Sequence, residues 1–186
     1  VPGFAGRFPY FGTQVHFPKG ALLFRIVCEQ GIFEPEIVAR MVSLSRPGAT
    51  VIDVGANLGL MSIPVLQACG TCRVISFEPS PSSLPYLQRT AAGSAHRERW
   101  VVVGTALGAA AGELDFTIGS AADALYEGFR SAERITGGRT VKVPVATLDS
   151  EWRRLGEPDV ALVKVDVEGA EAGVLAGSRC LVERCH

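Results

Sequence analysis

Four short stretches of this chain place chemically able residues directly after apolar runs: Asp53-Val54-Gly55-Ala56-Asn57-Leu58-Gly59, Glu78 in SFEPS, Gly104-Thr105-Ala106-Leu107, and Lys164-Val165-Asp166-Val167-Glu168-Gly169. In an open α/β sheet, ligands lie beyond the carboxyl ends of the strands, so these positions are where a site is expected. Gly55 permits a tight turn and close approach of a ligand, and Gly59 lets a helix pack near the strand. An anionic group could rest on the N-terminus of that helix, where amides and dipole both favour negative charge. The spacing is GxxxG, however, with Asn57 where the dinucleotide pattern GxGxxG has its second glycine. Asp53 just before the turn is poorly placed for a pyrophosphate. A ligand with an amino group, a carboxylate and no phosphate fits better.

Glu78 ends the next apolar run, about where a strand-helix-strand unit brings the neighbouring tip beside the first. A carboxylate there can accept from both hydroxyls of a ribose, as the acid about 20 residues on does in dinucleotide folds, so the ligand is expected to contain a nucleoside. Thr105 and Ala106 would then lie beside its base, although small residues at that place also serve plain packing. Asp166 and Glu168 close a valine-rich run. Unpaired carboxylates are costly to desolvate, which makes a site the economical reason for them.

The elements that must position these residues follow from the apolar pattern. The opening segment is rich in aromatics and glycine, and Phe17, Leu22, Phe24 and Ile26 indicate one or two short strands in a hairpin or lid over residues 1–32. A helix starts near Pro35, with Phe33, Ile37, Met41 and Leu44 along one face, and stops before Pro47-Gly48. TVIDVG reads as strand and turn, with a helix from Leu58 to Ala68. RVISFEP is a second strand, the segment after it a helix with Leu84 and Leu87 inward, and WVVVG a third strand. That alternation predicts right-handed crossovers and a parallel sheet. GELDFTI and TVKVPVATL read as strands around a polar loop from Gly119 to Arg139, and VALVKV as another strand. A last helix should face the sheet with Ala172, Leu175 and Ala176.

Taken together, VIDVGANLGLMS, SFEPSP, TALG and above all VKVDVEGAE resemble the FkbM family of methyltransferases, with the likeness running from about Phe33 to the end of the chain. The resemblance implies a Rossmann-like α/β fold of the class I methyltransferase type, with helices on both faces of the sheet and one cofactor-binding domain over residues 33–186. By the same likeness the sheet would lack the C-terminal strands of that class. It implies S-adenosylmethionine as cofactor, with Asp53, Gly55, Ala56, Asn57 and Gly59 at its methionine end, Glu78 on its ribose, and Thr105 and Ala106 at the adenine. Asp166 and Glu168 would face the methyl-transfer centre, with a hydroxyl on a small molecule such as a natural product or sugar as acceptor. On chemical grounds one of these acids would take the proton as the bond forms, or would instead favour binding of the sulfonium cation. The likeness brings Glu34 near the cofactor without giving it a role.

The remaining composition sets bounds. Hydrophobic residues are 47% and charged residues 20%, enough apolar surface for a folded core. A formal charge of -1 lacks the basic footprint of a nucleic-acid binder. No apolar stretch approaches the ~20 residues of a membrane span and no signal segment opens the chain, so no membrane partner and a cytoplasmic location are expected. Five scattered cysteines point to reduced thiols. The pair Cys69 and Cys72 alone is too little for a zinc site, so no metal is expected.

Overall fold

The computed structural model describes residues 6–118 and 139–184. Its centre is a parallel sheet of β3 (Thr50–Val54), β4 (Arg73–Phe77), β5 (Trp100–Val103) and β9 (Val160–Val165), in the order β5-β4-β3-β9. Residue-by-residue alternation assigns its two faces. Val51, Val74, Trp100, Val102 and Leu162 join one apolar cluster, whereas Ile52, Val54, Ile75, Phe77, Val103 and Val163 join another. The first cluster is completed by α1 (Leu22–Gln30), α2 (Pro35–Leu44), α3 (Ser62–Ala68) and α4 (Leu84–Gly93) through Leu23, Met41, Leu66 and Leu87. The second is completed by α5 (Leu148–Arg154), α6 (Glu171–Ala176) and α7 (Arg179–Arg184) through Trp152, Val174 and Leu181. Helices thus cover both faces of a parallel α/β sheet, as expected. No helix among the described residues is long and apolar enough to cross a membrane.

The N-terminal segment departs from its reading. Its strands are β1 (Arg7–Tyr10) and β2 (Thr13–His16), an antiparallel hairpin. Leu22, Phe24 and Ile26, whose alternation imitated a strand, lie in α1, because the residues that bury are Leu23 and Val27, four apart on one helical face. Gly31 ends α1 at φ 78, its amide returning to Val27 O at 2.8 Å. The segment shares its core with the sheet domain, since Val15, Phe17 and Leu23 pack in the same cluster as Val51.

Three helices also differ from expectation. Along α2 the buried residues are Val38 and Met41, while Ile37 and Leu44 are 46% and 47% exposed. Apolar residues cover a wide arc of this helix, and sequence does not say which part of the arc meets the sheet. The helix after β3 begins at Ser62 rather than Leu58, because Gly59 holds φ 82, a left-handed value that no right-handed helix contains. At the C-terminal end there are two short helices, with Val174 and Leu181 buried, Leu175 61% exposed and Ala172 and Ala176 on the exposed side. A Cβ on Gly177, between the two helices, would lie 2.2 Å from Gly108 O, so glycine is required where these backbones touch. Asp149 then starts the next helix by accepting from the amides of Cys180 and Leu181 at 3.0 and 2.9 Å.

GELDFTI and the strand after it form β7 (Gly112–Ile118) and β8 (Arg139–Ala146), which pair antiparallel. With β6 (Ala106–Leu107) they make a second sheet in the order β6-β8-β7, around Ala106, Phe116 and Val143. The polar loop expected between β7 and β8 lies outside the described residues. Cys69 and Cys72 are joined in a disulfide, against the expectation of reduced thiols throughout. The turn from α3 into β4 brings their Cα atoms to 5.5 Å, within the range a disulfide spans. Arg99 braces that turn, its guanidinium donating to the carbonyls of Leu66, Cys69 and Cys72.

Candidate functional site

A cavity of about 390 Å³ opens at the carboxyl ends of β3, β4 and β9 and beside β6. Of the residues singled out from sequence, Gly55, Ala56, Asn57, Glu78, Thr105, Ala106, Asp166 and Glu168 line it together. Four separate stretches of chain therefore converge on one concavity, as the register of the parallel strands requires: Val54 pairs with Phe77 on one side and with Val165 on the other.

Glu78 is the most firmly set of these. It is 6% exposed, and its carboxylate accepts from the Asn57 amide at 2.7 Å and the Ser80 amide at 2.8 Å. Its own amide donates to Val103 O at 3.0 Å, which fixes the tip of β4 against β5. Charge-assisted bonds from two backbone amides hold a carboxylate in one orientation with little freedom left to lose on binding.

The turn after β3 spends its amides within the protein. Those of Gly55 and Ala56 both donate to Phe77 O at 3.0 Å, that of Asn57 goes to Glu78, and that of Gly59 to Ala56 O at 2.8 Å. The expected anion seat on the following helix is thus not built from these donors, because the long turn consumes them before α3 begins. Glycine at 55 is demanded by the protein itself: at φ 77, a Cβ there would lie 1.8 Å from Asp166 O. At Gly59 a Cβ would lie 2.7 Å from the Trp100 ring and 2.8 Å from Leu87, so this glycine serves helix packing and stands off the cavity.

Asp53 also stands off the cavity. It is fully buried beneath the turn, where Oδ2 accepts from Ser62 Oγ at 2.7 Å and Oδ1 lies 3.1 Å from Lys164 Nζ. The arrangement continues from Ser62 to Ser76 Oγ at 2.8 Å and from Ser76 to the Trp100 indole at 2.9 Å. Lys164 is the residue that sequence reading passed over. Its side chain is 11% exposed, and besides Asp53 it reaches Gly55 O at 3.0 Å and Asp166 Oδ2 at 3.6 Å. The contact with Gly55 O is a hydrogen bond, whereas those with Asp53 and Asp166 are ion pairs, Asp53 Oδ1 receiving no hydrogen bond. Burial alone would lower the Lys164 pKa, but Asp53 and then Asp166 outweigh it and hold the ammonium above its ordinary value. The signal was present in the sequence, since Lys164 is the one cation inside VALVKV.

Asp166 and Glu168 line the cavity but are exposed, Asp166 at 59% by side chain. The desolvation argument made for them from sequence therefore does not apply, because they stand beyond the end of β9 at Val165. Apolar walls complete the concavity: Leu23, Ile26 and Phe33 on one side, Leu114 and Phe116 of β7 on another. No group of three or more metal-ligating side chains occurs among the described residues.

This geometry meets an independent finding. The family model of the methyltransferase FkbM domain matches residues 53–186, from the acid under the turn to the end of the chain. The chain belongs to that family. It is 30% identical to the methyltransferase sdnD of Sordaria araneosa over 68% of this chain, spanning 59% of that relative's length. A 50-residue stretch, 27% of this chain, is 42% identical to part of the AMB antimetabolite synthetase AmbE of Pseudomonas aeruginosa, 2% of that protein. Among solved structures, precorrin-6y C5,15-methyltransferase from Geobacter metallireducens aligns over 40% of each chain with 19% identity and a TM-score of 0.34.

Proposed function

We propose that this domain binds S-adenosylmethionine and transfers its methyl group to a hydroxyl on a small-molecule acceptor. The observation that carries the reading is Glu78: a buried carboxylate, oriented by two amides, on the wall of a cavity spanning neighbouring strand tips. The donor set supports the choice of ligand. A dinucleotide needs turn amides for its pyrophosphate, and here Gly55, Ala56 and Asn57 have given theirs to Phe77 and Glu78. A nucleoside without phosphates asks for a ribose acceptor instead, which Glu78 offers.

In this reading Glu78 holds the ribose hydroxyls, the segment Gly55–Asn57 lies along the amino-acid tail, and Thr105 and Ala106 border the adenine. When bound, the cofactor supplies an electrophilic methyl group. What the protein adds is alignment, and good alignment is worth ~7–11 kcal/mol of a barrier in favourable cases. A hydroxyl must also lose its proton as the new bond forms, and a carboxylate within hydrogen-bond reach serves as the acceptor. Asp166 or Glu168 fills that place. Lys164 ties Asp166 to the turn and so keeps the strand tip and the cofactor's seat in register.

Titration calorimetry with S-adenosylmethionine, S-adenosylhomocysteine and NAD tests this directly. The first two should bind one per chain, and Glu78→Ala should weaken both by roughly tenfold or more, the loss of a charged hydrogen-bond acceptor. NAD binding more tightly than either would overturn the proposal. Once an acceptor is found in a hydroxyl screen, Asp166→Asn and Glu168→Gln separate the carboxylates. The proton acceptor loses turnover with cofactor affinity kept, and full turnover in both variants removes them from catalysis.

A further inference from the structure

The cavity has more wall than the proposed cofactor uses. With Gly55, Ala56 and Asn57 along the tail, Glu78 on the ribose and Thr105 and Ala106 at the base, the lining that remains is mainly apolar. It includes Leu23 and Ile26 of α1, Phe33, and Leu114 and Phe116 of β7. Four of these also pack into the protein, Leu23 and Phe33 in the cluster that holds Val51, Leu114 and Phe116 in the cluster of the second sheet. Ile26 is the exception. It is half-buried and lines the cavity, yet it joins none of the three apolar clusters of the described residues. Its remaining surface leaves water only when an apolar group enters the cavity.

The polar side chains of the cavity exclude other ligand types. Beyond the positions given to the cofactor they are Glu34, Asp166, Glu168 and Lys164. Lys164, the cation lining the cavity among the described residues, is committed to Asp53, Gly55 O and Asp166. A carboxylate or phosphate on the acceptor would therefore face acids with no free cation, and would lose its hydration without compensation. No arginine, histidine, tyrosine, serine or glutamine lines the cavity among the described residues. A sugar, with a hydroxyl on nearly every carbon, needs neutral donors and acceptors that these walls do not carry.

Resting on the proposed cofactor reading, we infer that the acceptor is an uncharged apolar molecule, aromatic or alicyclic, whose hydroxyl is its main polar group, and that Ile26 is a specificity-determining residue for it. The products are its methyl ether and S-adenosylhomocysteine, with the hydroxyl proton passing to a cavity carboxylate.

The experiment is calorimetry on protein saturated with S-adenosylhomocysteine, using as probes 2-naphthol, 3-hydroxy-2-naphthoate, which adds a carboxylate to the same skeleton, and methyl glucoside. Wild type should bind 2-naphthol at least tenfold more tightly than either of the others. Ile26→Gln should weaken 2-naphthol about fivefold, the loss of part of one apolar side chain's burial, with S-adenosylhomocysteine affinity and melting temperature kept. Ile26→Leu should restore the affinity. Ile37→Gln, at an exposed apolar position outside the cavity, should match wild type. If wild type takes up S-adenosylhomocysteine but binds 2-naphthol no better than the anion or the glucoside, the inference is overturned and the cofactor reading stands. Unchanged 2-naphthol affinity in Ile26→Gln overturns it too, since the probe would then sit elsewhere. Wild-type protein that ignores S-adenosylhomocysteine sinks the cofactor reading and this inference with it.

Discussion

At the residue scale the structure turns on a buried ion pair that carries no ligand of its own. Asp53 is wholly enclosed and Lys164 nearly so, and the two lie 3.1 Å apart under the turn. Removing one partner of such a pair strands the other, at about 3–5 kcal/mol, whereas removing both charges together is often close to neutral. Lys164→Met should therefore be strongly destabilising in urea unfolding, and Asp53→Asn in the same chain should recover much of the loss. A double variant no more stable than Lys164→Met alone would show that Asp53 does not depend on Lys164. The pH dependence has a definite sign. Because the ammonium is favoured in the fold, its contribution is complete below the ordinary lysine value of about 10.4 and is lost as pH rises through the higher folded value. The site's residues were readable in sequence wherever an apolar run ended in an acid or glycine, as at Gly55, Glu78 and Asp166. Lys164 stood out only as the one cation inside VALVKV, and its role was not readable, because a cation inside a strand looks the same whether its ammonium reaches solvent or doubles back to a neighbouring strand.

At the element scale, two local devices decide where chain segments begin and turn. Asp149 is buried at the start of α5 and caps α7 through the amides of Cys180 and Leu181. Burial by itself would raise its pKa, yet the two amides and further lesser contacts outweigh it and hold the carboxyl below its usual range. Its stabilisation is thus present above the ordinary aspartate value of about 3.9 and fades as pH falls through the depressed folded value. Asp149→Ala should cost about 1 kcal/mol at neutral pH, the worth of a helix cap, and should flatten the acid limb of a stability-against-pH curve. An unchanged acid limb would contradict the cap. The second device is the Cys69–Cys72 disulfide at the exit of α3. Closing so short a loop is worth roughly 2 kcal/mol by chain entropy, so reduction should lower the melting temperature by several degrees, and a melt indifferent to reductant would refute that. Helix existence was legible for α2, α3, α4 and α6 but not for α1, whose residues imitated strands, or for α5, and helix facing was not legible even where the helix was. Leu175 and Ile37 satisfy the same spacing rules as Val174 and Val38, and only the packed sheet shows which of each pair is inside.

At the scale of the whole molecule, the parallel sheet with helices on both faces follows from strands of nearly unbroken apolar residues alternating with helical segments. That much was written in the chain. The second sheet was not, since β6 joins β8 in parallel and β8 joins β7 antiparallel, long-range pairings that no local pattern announces. A Cβ on Gly104 would lie 2.7 Å from Leu84 Cδ2, so that small residue is there for helix packing beside the cavity. Because the proposed ligand would bridge the tips of several strands, its binding must stabilise the domain as a unit. Ligand at a hundred times its dissociation constant adds about 2.7 kcal/mol, and the melting temperature should rise accordingly with S-adenosylhomocysteine but not with NAD. A crystal structure of the protein with S-adenosylhomocysteine tests the central claim most directly. The account predicts the ribose hydroxyls within hydrogen-bond distance of the Glu78 carboxylate and the amino-acid tail beside Gly55. A ligand seated elsewhere, or with its ribose turned away from Glu78, would contradict it.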